Sequence, residues 1–220
     1  MGFSYATHSG HEDIIKILLE YTMQHATANA HQELFGNVLN IAAAENHNNI
    51  IKLLLQYGAD LKSEEKKTQT ALHKAAYAGH KDTVELLLLN NANVNAQDDQ
   101  FGTALQAAAC RDHQAIMQLL LDYGANVNAN KGHFGPALYI ATSRNHQDII
   151  KLLIDHGADI DACNGYLRTP LQLAGISEGH QDMTQLLIEC GADVSDVDLY
   201  SILSDNDSAS SSSSSFSLYW

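Results

Sequence analysis

The sequence predicts an all-α solenoid, a stack of helix-turn-helix units joined by hairpin loops, and three observations predict it. His47, His80, His113 and His146 recur 33 residues apart, with His180 one residue late and His11 three residues early. Each later one opens a run of a single design: NNIIKLLLQYGAD, KDTVELLLLNNAN, QAIMQLLLDYGAN, QDIIKLLIDHGAD and QDMTQLLIECGAD. At 45% hydrophobic and 17% charged, the 220 residues can bury a continuous core. A fixed period of this length is the mark of a unit that covers its apolar face only by stacking on its neighbours.

Unit one starts its first helix at about residue 2, which leaves Phe3, Tyr5 and Ala6 at an open edge. The stretch Thr22 to Phe35 reads as a loop three residues longer than its counterparts and without a Gly-Ala-Asp end, the least regular part of the array. Unit three shows the design most plainly. Thr70 can cap a short helix whose Ala75, Ala76 and Ala78 let the next unit approach closely. From Lys81 a second helix places Val84, Leu87 and Leu88 at i, i+3, i+4 toward the core. Gly58, Gly124, Gly157 and Gly191, with Asn91 in unit three, end the second helices as residues that tolerate the left-handed conformation. Beyond the array of residues 1–196, Val197, Tyr200 and Leu203 suit a short capping segment over 197–205. Residues 206–220 form a serine-rich tail, expected to be flexible, that ends in Phe216-Ser217-Leu218-Tyr219-Trp220.

The string Thr70-Ala71-Leu72-His73-Lys74-Ala75-Ala76, then Gly79-His80, Val84-Glu85-Leu86-Leu87-Leu88 and Asn91-Ala92-Asn93-Val94-Asn95-Ala96, resembles the ankyrin repeat. The likeness runs over about residues 2–196 in six units and implies an ankyrin-repeat solenoid that binds other proteins. Departures accompany it. Gln106, Tyr139 and Gln172 stand where His73 does, Pro136 replaces the capping Thr, and Phe101-Gly102 and Phe134-Gly135 reverse the usual order at two hairpin tips. Those tips are expected to be reshaped.

A net charge of −14 disfavours nucleic acid and anionic membrane as partners, and no apolar run approaches the ~20 residues that span a bilayer. Three cysteines without Cys-x-x-Cys spacing suggest neither a disulfide framework nor a zinc site, which points to the cytosol or the nucleus. There is no Gly-rich phosphate loop, Gly-x-Ser-x-Gly or His-Glu-x-x-His. The chain therefore reads as a non-enzymatic interaction module with no cofactor and no metal. The periodic histidines are too far apart to share one ion, since stacked helices lie ~8–10 Å apart.

The resemblance implies that the concave face is lined by the positions two and three before each periodic His and by the hairpin tips. On this chain those are His8 and Ser9, Ala44 and Glu45, Tyr77 and Ala78, Cys110 and Arg111, Ser143 and Arg144, then Ile176 and Ser177 beside an inserted residue. Arg111, Arg144 and Arg168 are the three arginines of the chain, and all map to this side. With Phe101, His133, Phe134 and Tyr166 at the tips, they make the candidate surface. A guanidinium presents a planar fork suited to carboxylate or phosphate, and it stacks on aromatic rings. The expected ligand is a protein or peptide segment, acidic or phosphorylated. A small acidic metabolite held by Arg111, Arg144, Tyr77 and His133 is the alternative, and self-association through the N-terminal edge or the tail is a further expectation.

Overall fold

A computed structural model describes residues 2–25, 28–61, 70–164, 168–177 and 179–195. Tyr166, the capping segment 197–205 and the tail lie outside these. Among the described residues there are twelve helices and no strand. The helices are α1 (Gly2–His8), α2 (Glu12–His25), α3 (Ala28–Ala44), α4 (Asn48–Gln56), α5 (Ala71–Ala78), α6 (Lys81–Leu89), α7 (Ala104–Ala109), α8 (Gln114–Asp122), α9 (Ala137–Ser143), α10 (Gln147–Asp155), α11 (Pro170–Ile176) and α12 (Gln181–Glu189).

Two layers follow from the two kinds of helix. First helices α1, α3, α5, α7, α9 and α11 touch in that order along the stack, and second helices α2, α4, α6, α8 and α10 form the other layer. Alanine explains the first layer: Ala75, Ala76, Ala107, Ala108 and Ala141 have no exposed surface and let successive backbones close in. Between the layers runs one core in which Leu54, Leu87, Leu120, Leu153 and Leu187 are fully buried at the repeat spacing. Val84, Leu87 and Leu88 of the expected stripe are all inside it. Burying each such side chain contributes roughly 1.5–3 kcal/mol.

Turn chemistry follows the pattern too. Gly58, Asn91, Gly124, Gly157 and Gly191 all have positive φ after the second helices. Each unit also turns between its helices at the residue before the periodic His, where Gly10, Asn46, Gly79, Asp112, Asn145 and Gly179 are left-handed. At Gly79 space matters as well: a Cβ there would lie 2.7 Å from the His113 ring of the next pair.

The stretch Thr22 to Phe35 corrects the reading of a long loop. Helix α2 runs on to His25 and α3 already begins at Ala28. Thr22-Met23-Gln24-His25 contains no Gly to stop the helix, and the Ala-rich start of α3 favours helix at once. The described residues of the stretch lengthen two helices.

Candidate partner-binding surface

Side chains of the repeat frame set the surface in place. His47 Nε2 lies 3.3 Å from the His8 carbonyl oxygen, His80 Nε2 2.9 Å from that of Ala44, and His113 Nε2 3.2 Å from that of Tyr77. Each of these three imidazoles ties the start of a second helix to the end of the first helix in the preceding pair. His146 departs, with Nδ1 3.7 Å from the Asp112 carboxylate.

The hairpin tips are held by polar groups that the sequence reading did not single out. Asp98 Oδ1 accepts from the backbone N–H groups of Gln100 at 2.7 Å, Phe101 at 2.5 Å and Gly102 at 3.3 Å, while its own N–H donates to the Gly102 carbonyl at 2.7 Å. Gly102, at φ 86°, turns the chain back so closely over the next tip that any Cβ would collide with the Lys131 carbonyl. The Phe-Gly order is thereby explained: the left-handed residue follows the aromatic one and sends its ring inward. Gln106 does what His73 does one unit earlier. His73 accepts at Nδ1 from Thr70 (Oγ1 at 2.9 Å) and bonds the Gly102 carbonyl through Nε2 at 3.1 Å. Gln106 accepts from the Thr103 N–H at 2.8 Å and donates to the Gly135 carbonyl at 2.6 Å and to that of Lys131 at 2.7 Å. An amide and an imidazole each offer one acceptor and one donor at opposite ends, so either can cap a helix and hold the following tip. Gln172 repeats the cap with Thr169. Pro136, which cannot, leaves α9 without a side-chain cap.

On this frame several of the candidate residues come together. The Tyr77 and Phe101 ring centroids are 4.7 Å apart, those of Phe101 and Phe134 6.1 Å apart, and the Arg111 guanidinium carbon lies 4.4 Å from the Tyr77 centroid. Arg111 Nη2 also donates to the Tyr77 hydroxyl at 2.6 Å. The result is a ladder from three successive helix pairs, with Phe101 buried, Tyr77 and Phe134 half-buried, and Arg111 exposed at one end. Arg144 is exposed one pair further on. Cys110 sits under both guanidinium groups, whose charge favours the thiolate; burial outweighs them and pushes its pKa up to about 11. That thiol is protonated at neutral pH and so is a poor nucleophile.

The remaining candidates take lesser places. Ser143 spends its hydroxyl on the Ile140 carbonyl at 2.7 Å. His133 is an exposed tip residue whose backbone N–H reaches the Gln100 carbonyl at 3.2 Å. Arg168 is exposed, and its N–H donates to Asn164 Oδ1 at 3.2 Å. Elsewhere on this side, His8 Nε2 stands 3.2 Å from Glu45 Oε1, and Ile176 is exposed. Among the described residues no group of His, Cys, Asp and Glu is arranged to hold a metal ion, and no helix is long and apolar enough to cross a membrane.

A family model described as ankyrin repeats (3 copies) matches residues 3–65, 39–131 and 130–198. No curated protein matches the chain.

Proposed function

Since the chain belongs to the ankyrin-repeat family, whose members are generally protein-protein interaction modules, we propose that it is a non-enzymatic module that binds a polypeptide segment carrying a carboxylate or a phosphorylated side chain. The observation that carries this reading is the exposed Arg111 guanidinium laid over Tyr77, continued inward by Phe101 and Phe134, with Arg144 one step along the stack. Stacking holds the fork in one orientation before any ligand arrives, which lowers the ordering cost of binding. An anion engages the guanidinium groups, and apolar residues beside it lie along the half-buried rings. A small metabolite would need enclosure, whereas Arg111, His133 and Arg144 are all exposed.

The test is selection of peptides from a library that includes acidic and phosphorylated sequences, by the wild-type chain and by the Arg111→Glu, Arg144→Glu variant. Anionic sequences should be enriched by the wild type alone. Loss of a charge-paired anchor typically costs ~2–5 kcal/mol. Selected peptides without any preference for negative charge, or equal selection by the double variant, would refute the reading.

A further inference from the structure

Followed back along the stack from α11, the cationic and aromatic groups of the surface come in order. Arg168 precedes α11, Arg144 follows α9, and both are exposed. Next come the Phe134, Phe101 and Tyr77 rings, with Arg111 laid over the last of them. The chain beyond Ser195 has the opposite character. Its only charged side chains are Asp196, Asp198, Asp205 and Asp207; a run of serines follows, and then Phe216-Ser217-Leu218-Tyr219-Trp220. Carboxylates first and rings last is the order in which a segment running back along the stack meets guanidinium groups and then aromatic faces. The reach is sufficient. A serine-rich chain spans about 5–6 Å times the square root of its length, so the stretch from Asn206 to Trp220 covers roughly 20 Å, about two steps of a stack whose helices lie ~8–10 Å apart.

We propose that the segment Asp205 to Trp220 is an intramolecular ligand of this surface, its carboxylates drawn to Arg168 and Arg144 and its aromatic end laid on the half-buried Phe134 and Tyr77 rings and over the Arg111 guanidinium. The proposal rests on the reading of the surface given above, in which an anion engages the arginines and apolar groups follow the rings. Charge chooses the place: the array is acidic and repels the segment elsewhere, and the chain's three arginines all lie along this path. Trp220 or Tyr219 on Arg111 continues the stack that Tyr77 begins, because a guanidinium accepts an aromatic ring on either face. A ligand tethered through a short serine-rich linker acts at an effective concentration of about 1 mM, so a match of even modest affinity keeps the surface occupied. The chain is thereby its own competitor, and an outside partner binds only as the segment leaves.

Trp220 is the only Trp, so the fluorescence of the full chain reports on this segment directly. Its emission should lie to the blue of that of a synthetic peptide of residues 205–220, and acrylamide should quench it less. Both properties should be the same at about 1 µM and about 100 µM, since the contact is within one chain. In the Arg111→Glu, Arg144→Glu variant, whose far-UV circular dichroism should match wild type, both should move to the values of the peptide. Clearing the surface by Tyr219→Ser with Trp220→Ser in the full chain should tighten binding of a library-selected anionic peptide by about fivefold, as for a surface about four-fifths occupied by its own segment. Peptide-like emission from the native chain, emission that the arginine variant leaves unmoved, a shift with concentration that marks docking between copies, or equal peptide affinity in the serine variant would each overturn the proposal while leaving the selection of anionic peptides intact. Absence of that selection from both wild type and the serine variant would remove the reading of the surface and the proposal together.

Discussion

Replacing His73 by Gln should be nearly neutral at pH 7 and should reduce the sensitivity of the array to acid. His73 is 1% exposed, caps α5 with Thr70 and bonds the Gly102 carbonyl, and its Nε2 lies 3.8 Å from the buried Asp98 carboxylate. Gln106 makes the equivalent pair in the next unit, so His73→Gln should alter stability by no more than about 1 kcal/mol. His73→Ala loses the cap, about 0.5–2 kcal/mol, and one of the two hydrogen bonds to the Gly102 carbonyl, which keeps the Asp98 N–H, about 0.5–1.5 kcal/mol. The combined loss of about 1–3.5 kcal/mol corresponds to a fall in melting temperature of roughly 2–14 °C for a chain of this size. Burial lowers the His73 pKa from its ordinary 6.5, against the opposing pull of the Asp98 carboxylate and with a lesser push from Lys74. The unfolded chain therefore takes up this proton first as the pH falls below 6.5. Stability is full above that value and declines below it, by up to about 1.4 kcal/mol per pH unit for one proton. Thermal melts followed by circular dichroism at pH 7.5 and at pH 5.0 give the comparison. Wild type should lose more stability between the two than His73→Gln, in which His146 and His180, also lowered by burial, still contribute. A Gln variant as unstable as the Ala variant at pH 7.5, or one with an unchanged acid loss, would refute the equivalence of the two side chains.

The double variant Arg111→Glu, Arg144→Glu, with both sites exposed, should lose no more than about 1 kcal/mol, the worth of the exposed Arg111–Tyr77 stack; a larger loss would make the arginines structural. In the native chain Cys110 should react with a thiol reagent far more slowly than the half-buried Cys163 and Cys190, and three equal fast phases would contradict its burial. Gly102→Ala should cost about 1–3 kcal/mol because of its φ of 86° and the Lys131 carbonyl in the way; denaturant unfolding measures it, and a neutral outcome would place the tip elsewhere. Hydrogen exchange should be faster in α1 and α2, where Ile14, Ile17 and Tyr21 are exposed, than in α5 to α8, which pack on both sides, and equal protection of the two regions would contradict that.

Periodicity made the fold legible because burial repeats with it: one Leu per unit, from Leu54 to Leu187, is enough to place every second helix. Helix ends were legible where a Gly or Asn marks them, as at Asn91 and Gly124. They were not between α2 and α3, where no breaker stands and continuing the helix competes with the repeat. The meeting of Arg111 with Tyr77 could be anticipated as a place but not as a contact, since position in a unit says which side a residue faces and not which rotamer it adopts. Asp98 escaped notice because an Asp in a polar turn resembles any other. Its role depends on the left-handed Gly102 bringing three N–H groups round to one oxygen.

The loops are stitched by side chains, and this gives the stack a direction under load. Asn95 accepts from the Asn126 N–H at 2.7 Å and donates to the Gly124 carbonyl at 3.1 Å, and Asn128 does the same with Asp159 at 2.8 Å and Gly157 at 3.1 Å. In the next position Asp161 accepts from the Asp193 N–H at 3.0 Å, but a carboxylate has no proton with which to make the second stitch. Two rungs are thus double and the following one single. Pulled from its ends in an optical trap, the protein should part at the single rung that joins α12 before it parts at either double rung, and these should release in later, larger force steps. Restoring the amide by Asp161→Asn would even out that part of the sawtooth, so that one side-chain atom decides which of the three rungs parts first.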